Sequence, residues 1–289
     1  MVKNIYVKDA IKLFNTVVIH DIPIYYEEYG EGKPVLNIHG WGPDHRLMKG
    51  CFEPVFVETE GYRRIYLDLP GFGKTPTASW IRSADDILEI LCKFIDAVIG
   101  GENFLLTGCS YGGYLSLGLM HKMSERVDGV LLLVAQIGAD KAEVVSEYKL
   151  LWKSDKLNSV EGTTSLNTYL SMAVVATPEA YEQWDNHIQP GLDRAITHDE
   201  GIGNYSPNLE EDIKRVKFDG PSCILVGRQE GSLTCHYSKA YELIERFPRA
   251  TFAVLDGAGH ILQIDREPLF RQLVKDWVDR CELNVKEEN

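Results

Sequence analysis

The chain has 289 residues, 44% of them apolar and 25% charged, with a formal net charge of −13 at neutral pH. So acidic a surface repels phosphate backbones, and no basic stripe stands out beyond the pair Arg63-Arg64, which argues against nucleic acid as a partner. No window reaches the roughly 18 apolar residues of a membrane span and the first residues carry no apolar signal region, so the expectation is a cytoplasmic protein with a small-molecule partner.

Six cysteines (Cys51, Cys92, Cys109, Cys223, Cys235 and Cys281) are scattered without a C-x-x-C pair. They read as reduced, mostly buried thiols rather than a disulfide frame or zinc site.

In chain order, Val17-Val18-Ile19 and Ile24-Tyr25-Tyr26 read as two strands about a turn at residues 20–23. Val35-Leu36-Asn37-Ile38 and Arg64-Ile65-Tyr66-Leu67 are the third and fourth. Phe104-Leu105-Leu106, the run at residues 130–134, Cys223-Ile224-Leu225-Val226 and Phe252-Ala253-Val254-Leu255 complete the set. The later runs are continuously apolar, as strands buried on both faces of a parallel sheet must be. Between them, residues 84–99 carry an apolar stripe at helical spacing, opened by Ser83 and Asp86 as a capping box. A second stripe runs from Leu269 to Cys281. Strand–helix alternation predicts a helix-covered, mostly parallel α/β sheet with its functional loops at the C-terminal strand ends. From residue 138 to 216 no convincing strand occurs, only helical patterns rich in Tyr, Trp and Met. An insertion of that length is too long for a loop, so it predicts a helical lid over the strand ends.

The strongest chemical signal is Gly108-Cys109-Ser110-Tyr111-Gly112. It lies directly between a strand and a helical stretch, the context a G-x-S-x-G nucleophile elbow requires. There the serine backbone is strained, a Cβ on either flanking glycine would collide, and the helix N-terminus faces the reacting oxygen. Ser110 is therefore the candidate nucleophile. His39-Gly40-Trp41-Gly42 follows the third strand, where a loop supplies an oxyanion donor; the donors read as the backbone N–H groups of Trp41 and Tyr111, with His39 holding the loop. The last strand ends in Asp256-Gly257-Ala258-Gly259-His260, and His260 is the histidine that follows both the serine and a candidate acid at a strand end. It is the candidate general base. Two apparent nucleotide motifs fail: Gly73-Lys74-Thr75 has Asp68 where a P-loop needs glycine, and Gly71-x-Gly73 is followed by Pro76.

With Asp68-Leu69-Pro70-Gly71-Phe72-Gly73 after the fourth strand, these motifs resemble the α/β-hydrolase family, in its branch of small capped esterases and hydrolases, over about residues 15–280. The resemblance implies an eight-stranded, mostly parallel sheet covered by helices, a core formed by residues 1–137 and 217–289, and a lid at 138–216 inserted after the sixth strand. It also implies an aspartate after the seventh strand. Here the chain departs: Gly227-Arg228-Gln229-Glu230 puts glutamate there, one methylene longer but able to orient a histidine as aspartate does. Glu230 is the favoured acid and Asp140, just past the sixth strand, the alternative. The expectation is hydrolysis of a small or medium carboxylic ester through an acyl-enzyme, without cofactor or metal. A carbon–carbon bond hydrolase or acyltransferase would use the same residues, and a ligand-binding pseudo-hydrolase would keep only the pocket. Among the lid residues, Trp152, Tyr169, Met172 and Trp184 could line an acyl pocket, although such residues at helical spacing are more often core.

Overall fold

The structure, a computed structural model, describes residues 13–57, 59–138, 149–160, 162–194 and 206–288. Strands β1 (Leu13–Ile19) and β2 (Ile22–Tyr29) form a hairpin. His20 and Asp21 both have positive φ, 47° and 66°, the two-residue turn that matches strand twist. The turn is tighter than the four residues expected, because Ile22 and Pro23 already pair with Ile19 and Val18.

β3 (Lys33–Ile38), α1 (His45–Phe56), β4 (Tyr62–Leu67), α2 (Ala84–Val98), β5 (Phe104–Cys109), α3 (Tyr111–Met123) and β6 (Val127–Leu133) follow. After the inserted segment come β9 (Ser222–Gly227) and β10 (Ala250–Leu255), with the short α8 (Tyr237–Tyr241) between them, then α9 (Leu262–Asp265) and α10 (Glu267–Glu288). The insertion itself holds β7 (Trp152–Lys153), α4 (Thr164–Met172), β8 (Val175–Ala176), α5 (Pro178–His187), α6 (Gln189–Leu192) and α7 (Pro207–Arg215). The eight-stranded sheet runs β1-β2-β4-β3-β5-β6-β9-β10, antiparallel at β1/β2 and β2/β4 and parallel elsewhere.

Period-two alternation splits the core into two layers. Phe104 and Leu106 of β5 face one layer with Ile87, Leu91 and Phe94 of α2; Leu105 and Cys109 face the other with Phe52 of α1 and Trp277 of α10. Both faces of the parallel strands are covered, which is why their sequences are continuously apolar. Ser83 caps α2 with Asp86 in the expected capping box.

Within the inserted segment, Tyr169, Tyr181 and Trp184 cluster between α4 and α5, with ring centroids 5.6 and 5.8 Å apart, and α5 rests on α1 and α9. α7 instead joins the core layer of α2 and α3 through Leu209 and Ile213. β7 and β8 pair in parallel over two residues each, too short a stretch for alternation to show in the sequence. Among the described residues no helix is long and apolar enough to cross a membrane.

Candidate active site

Ser110 sits between β5 and α3 with φ 52° and ψ −117°, a conformation a residue bearing a Cβ adopts only when its surroundings enforce it. Backbone hydrogen bonds on both sides of the residue do so. Its N–H donates to the Leu133 carbonyl at 3.0 Å, and its carbonyl accepts the N–H groups of Gly113 at 2.9 Å and Gln136 at 3.0 Å. A Cβ at Gly108 would run into Ser116 Oγ and the Gly112 carbonyl, and one at Gly112 into the carbonyls of Ile38 and His39. The motif's glycines are there because the turn is packed against β3 and its own helix.

His260, past the end of β10, brings Nε2 to 3.0 Å from Ser110 Oγ, while its Nδ1 lies 2.8 Å from Glu230 Oε2. With a carboxylate at Nδ1, that nitrogen carries the proton and Nε2 is left to accept from the serine hydroxyl. Glu230 is 1% exposed, and its Oε1 accepts the Ser232 N–H at 2.9 Å, which fixes the carboxylate's orientation. The loops after β9 and β10 are laced together. Gln229 N–H donates to the Ala258 carbonyl at 2.9 Å, and Ala258 N–H returns to Gln229 Oε1 at 3.1 Å. Burial disfavours the imidazolium of His260, but the adjacent Glu230 carboxylate and the Cys235 sulfur together outweigh it and hold the group well above the ordinary histidine value. Burial pushes the neighbouring Cys109 thiol up to about 12, so it is no competing nucleophile.

Gly40 lies against the serine, since a Cβ there would stand 3.1 Å from Ser110 Cβ. The Trp41 ring meets those of Tyr111 and Phe72 edge-on at 5.4 and 5.0 Å. The backbone segments of Trp41 and Tyr111 thus both border Ser110. His39, fully buried, ties the loop down: its Nε2 accepts the Leu69 N–H at 2.9 Å and its Nδ1 faces the Gly40 carbonyl at 2.7 Å. Asp140, the alternative acid, lies outside the described residues.

A cavity of about 80 Å³ opens at Ser110 and His260, walled by Trp41, Met172, Trp184 and Gln263 among others. Of the four residues of the inserted segment singled out in the sequence, Met172 and Trp184 line this wall, Tyr169 packs behind it, and Trp152 is 53% exposed.

Two features escaped the sequence reading. One is Asp265, whose carboxylate accepts backbone N–H groups from Gly259, Val174 and Val175; its only sequence signal is an acid ending the mostly apolar stretch Ile261-Leu262-Gln263-Ile264. The other is a buried charge network beneath the loops. His45 Nδ1 lies 2.7 Å from Asp68 Oδ1 and its Nε2 3.1 Å from Glu27 Oε1, while Lys49 Nζ reaches Glu27 Oε2 at 2.7 Å. Burial opposes the imidazolium, yet Asp68 and Glu27 prevail and raise His45 to about 9. Asp68 Oδ2 also accepts the Lys74 N–H at 2.8 Å, giving the Asp68–Gly73 motif a structural job. Asp44, His45 and Asp68 come close enough to suggest a metal site. Yet an imidazolium between two carboxylates has no lone pair to offer, and Asp44 is taken by Arg46, so the group does not fit one.

The family model for the alpha/beta hydrolase fold matches residues 33–267. The chain belongs to the alpha/beta hydrolase fold family. This hydrolase is similar to the structure of an alpha/beta superfamily hydrolase from Oenococcus oeni PSU-1, with a TM-score of 0.84 at 29% identity, covering 93% of this chain and 99% of that one. It is 31% identical over 261 residues to the pimeloyl-[acyl-carrier protein] methyl ester esterase of Legionella pneumophila, covering 88% of this chain and 99% of that protein. It is 23% identical over 274 residues to a 2-hydroxy-6-oxononadienedioate/2-hydroxy-6-oxononatrienedioate hydrolase of Paraburkholderia phymatum, covering 89% and 91%.

Proposed function

We propose that this alpha/beta hydrolase cleaves a small or medium carboxylic ester through an acyl-enzyme, with Ser110 as nucleophile, His260 as general base and Glu230 as the acid that orients it. The hydrogen-bonded row Ser110–His260–Glu230 carries the reading. His260 Nε2 takes the Ser110 proton as Oγ attacks the carbonyl carbon. The oxyanion that forms is held by the backbone N–H groups of Trp41 and Tyr111, the latter at the positive end of α3. The C–O bond breaks as His260 protonates the leaving alcohol, and water then repeats the sequence to release the acid. Glu230 stabilises the imidazolium throughout without taking the proton. The inserted helices α4 to α6 act as the lid, consistent with Met172 and Trp184 at the cavity wall.

A labelled fluorophosphonate should attach to the wild type and not to Ser110→Ala; an unlabelled wild type would overturn the proposal. A p-nitrophenyl ester panel of rising chain length then measures the preference. The Paraburkholderia relative favours a second reading, carbon–carbon bond hydrolysis of an oxo-dienoate by the same residues. Turnover of such a dienoate with kcat/KM above that of every ester would decide for it.

A further inference from the structure

The cavity wall is apolar for most of its extent, through Pro43, Leu47, Met172, Ile188 and Leu192. Apart from Ser110 and His260, the residue at the wall among the described residues that carries a carboxamide is Gln263, three positions after His260. Trp184, also at the wall, already donates its indole N–H to Gln189 Oε1 at 3.0 Å. Gln263 is 3% exposed, and its Oε1 is buried with no hydrogen-bond partner among the described residues. Native interiors rarely leave a buried carbonyl oxygen unmatched, since desolvation without a partner is costly. Where one stands beside a substrate cavity, a group on the bound ligand can supply the partner.

The chemistry of the wall narrows what that partner can be. No Lys or Arg lines the cavity among the described residues. Arg46 and Lys49, on the helix that contributes Leu47, are engaged by Asp44 and Glu27. His187 borders the small adjoining space that Gln263 also lines, and burial pushes it down to about 4, so it is neutral at physiological pH. Beyond His260, whose charge Glu230 already balances, a substrate carboxylate placed here would be desolvated without a counter-charge. A carboxamide offers an acceptor and two donors, and rotation about its terminal bond presents either to the cavity. A hydroxyl, which donates and accepts, is its natural complement.

We propose that Gln263 is a specificity-determining residue that hydrogen-bonds a neutral hydroxyl group on the substrate, making hydroxylated esters, rather than plain alkyl or carboxylate-bearing ones, the preferred class. The proposal rests on the hydrolase reading above and adds a substrate class to it.

The test uses matched ester pairs, with and without a hydroxyl two to five bonds from the reacting carbonyl, in either the acyl or the alkoxy part. A pH-indicator assay follows turnover. The wild type should favour at least one hydroxylated member by roughly ten-fold or more in kcat/KM, the discrimination expected when a buried polar group would otherwise go unpaired. Gln263→Met, unbranched but apolar, should bring that ratio close to one, mainly by improving the plain ester. Fluorophosphonate labelling of the variant checks that its nucleophile is assembled. If Gln263→Met does not label, Gln263→Asn, which withdraws the carboxamide by one methylene, should lower the same ratio. A labelled wild type with no preference in any pair, a preference that survives substitution of Gln263 in a labelling variant, or a preference for a carboxylated ester would each overturn this inference while leaving the hydrolase reading intact. Failure of the wild type to label would overturn both.

Discussion

The Asp265 carboxylate joins the loop of His260 to the inserted segment: Oδ2 accepts the N–H of Gly259, next to His260, at 3.1 Å, and Oδ1 accepts those of Val174 and Val175 at 3.1 and 3.3 Å. Burial pushes this acid up to about 6, so at neutral pH the protein holds a carboxylate it desolvates at some cost in order to satisfy three amides. Asp265→Ala leaves those amides without an acceptor. It should lower kcat/KM more than about ten-fold and the melting temperature by several degrees, since each unmatched buried donor costs on the order of 1–3 kcal/mol. Asp265→Asn, which keeps one acceptor oxygen, should be milder on both counts. Steady-state kinetics and thermal melts followed by circular dichroism would measure this. A silent Asp265→Ala would mean the two segments are held by other contacts.

Ser110→Ala should abolish turnover with little change in fold, because Oγ contributes one hydrogen bond and the strained backbone is held by its neighbours. The loss should approach about 10⁶ in kcat, or about 8 kcal/mol of barrier. A variant with normal circular dichroism and a tenth of wild-type activity would remove the serine from the mechanism.

The Glu230–His260 pair sets the acid limb of the pH profile. A base must be neutral, and Glu230 raises the pH at which His260 loses its proton, so kcat/KM should fall with decreasing pH at a midpoint above the ordinary ~6.5 of histidine. Glu230→Gln removes the charge. The midpoint should then move to lower pH while the plateau drops by up to roughly 10⁴, as when a comparable acid is neutralised in a serine protease. Glu230→Asp should cost less, about ten- to a hundred-fold, and Asp140→Asn little. The reverse pattern, with Asp140→Asn crippling, would assign the acid to the residue after β6.

His45 should make stability fall at alkaline pH. Its folded value of about 9 lies above the unfolded ~6.5, so its contribution is fully present below pH 6.5 and lost as pH rises through 9. The amount is of order 3 kcal/mol. Urea unfolding at intervals between pH 7 and 10 would show the decline, and His45→Gln should flatten it while lowering stability at pH 7. An unchanged alkaline slope in that variant would place the titrating group elsewhere.

Met172→Ala should shift the chain-length preference among p-nitrophenyl esters, because Met172 stands at the cavity wall. Trp152→Ala should leave it unchanged, since that ring is exposed away from the wall. Equal effects of the two substitutions would deny the lid a role in selection.

By itself the sequence determined the order of the eight strands of the main sheet and the helices α2 and α10, because period-two and 3.6-residue patterns record which side of each element is buried. It also marked Ser110 and His260, each within a few residues of the end of an apolar strand, since parallel crossovers deliver such loops to one edge of the sheet, while Glu230 came from the family resemblance, with Asp140 as the alternative. What it could not carry was distance. Glu230 meets His260, and His260 meets Ser110, only because β5, β6, β9 and β10 are neighbours in register, a relation between residues 30 and 150 positions apart. The same holds for Met172 against Trp152, which are alike as apolar residues of the inserted segment and differ only in what folds over them. Asp265 and the Glu27–His45–Asp68 network were illegible for a related reason. A charged residue reads as solvent-facing until the tertiary structure supplies partners that make its burial tolerable, and those partners lie far away along the chain.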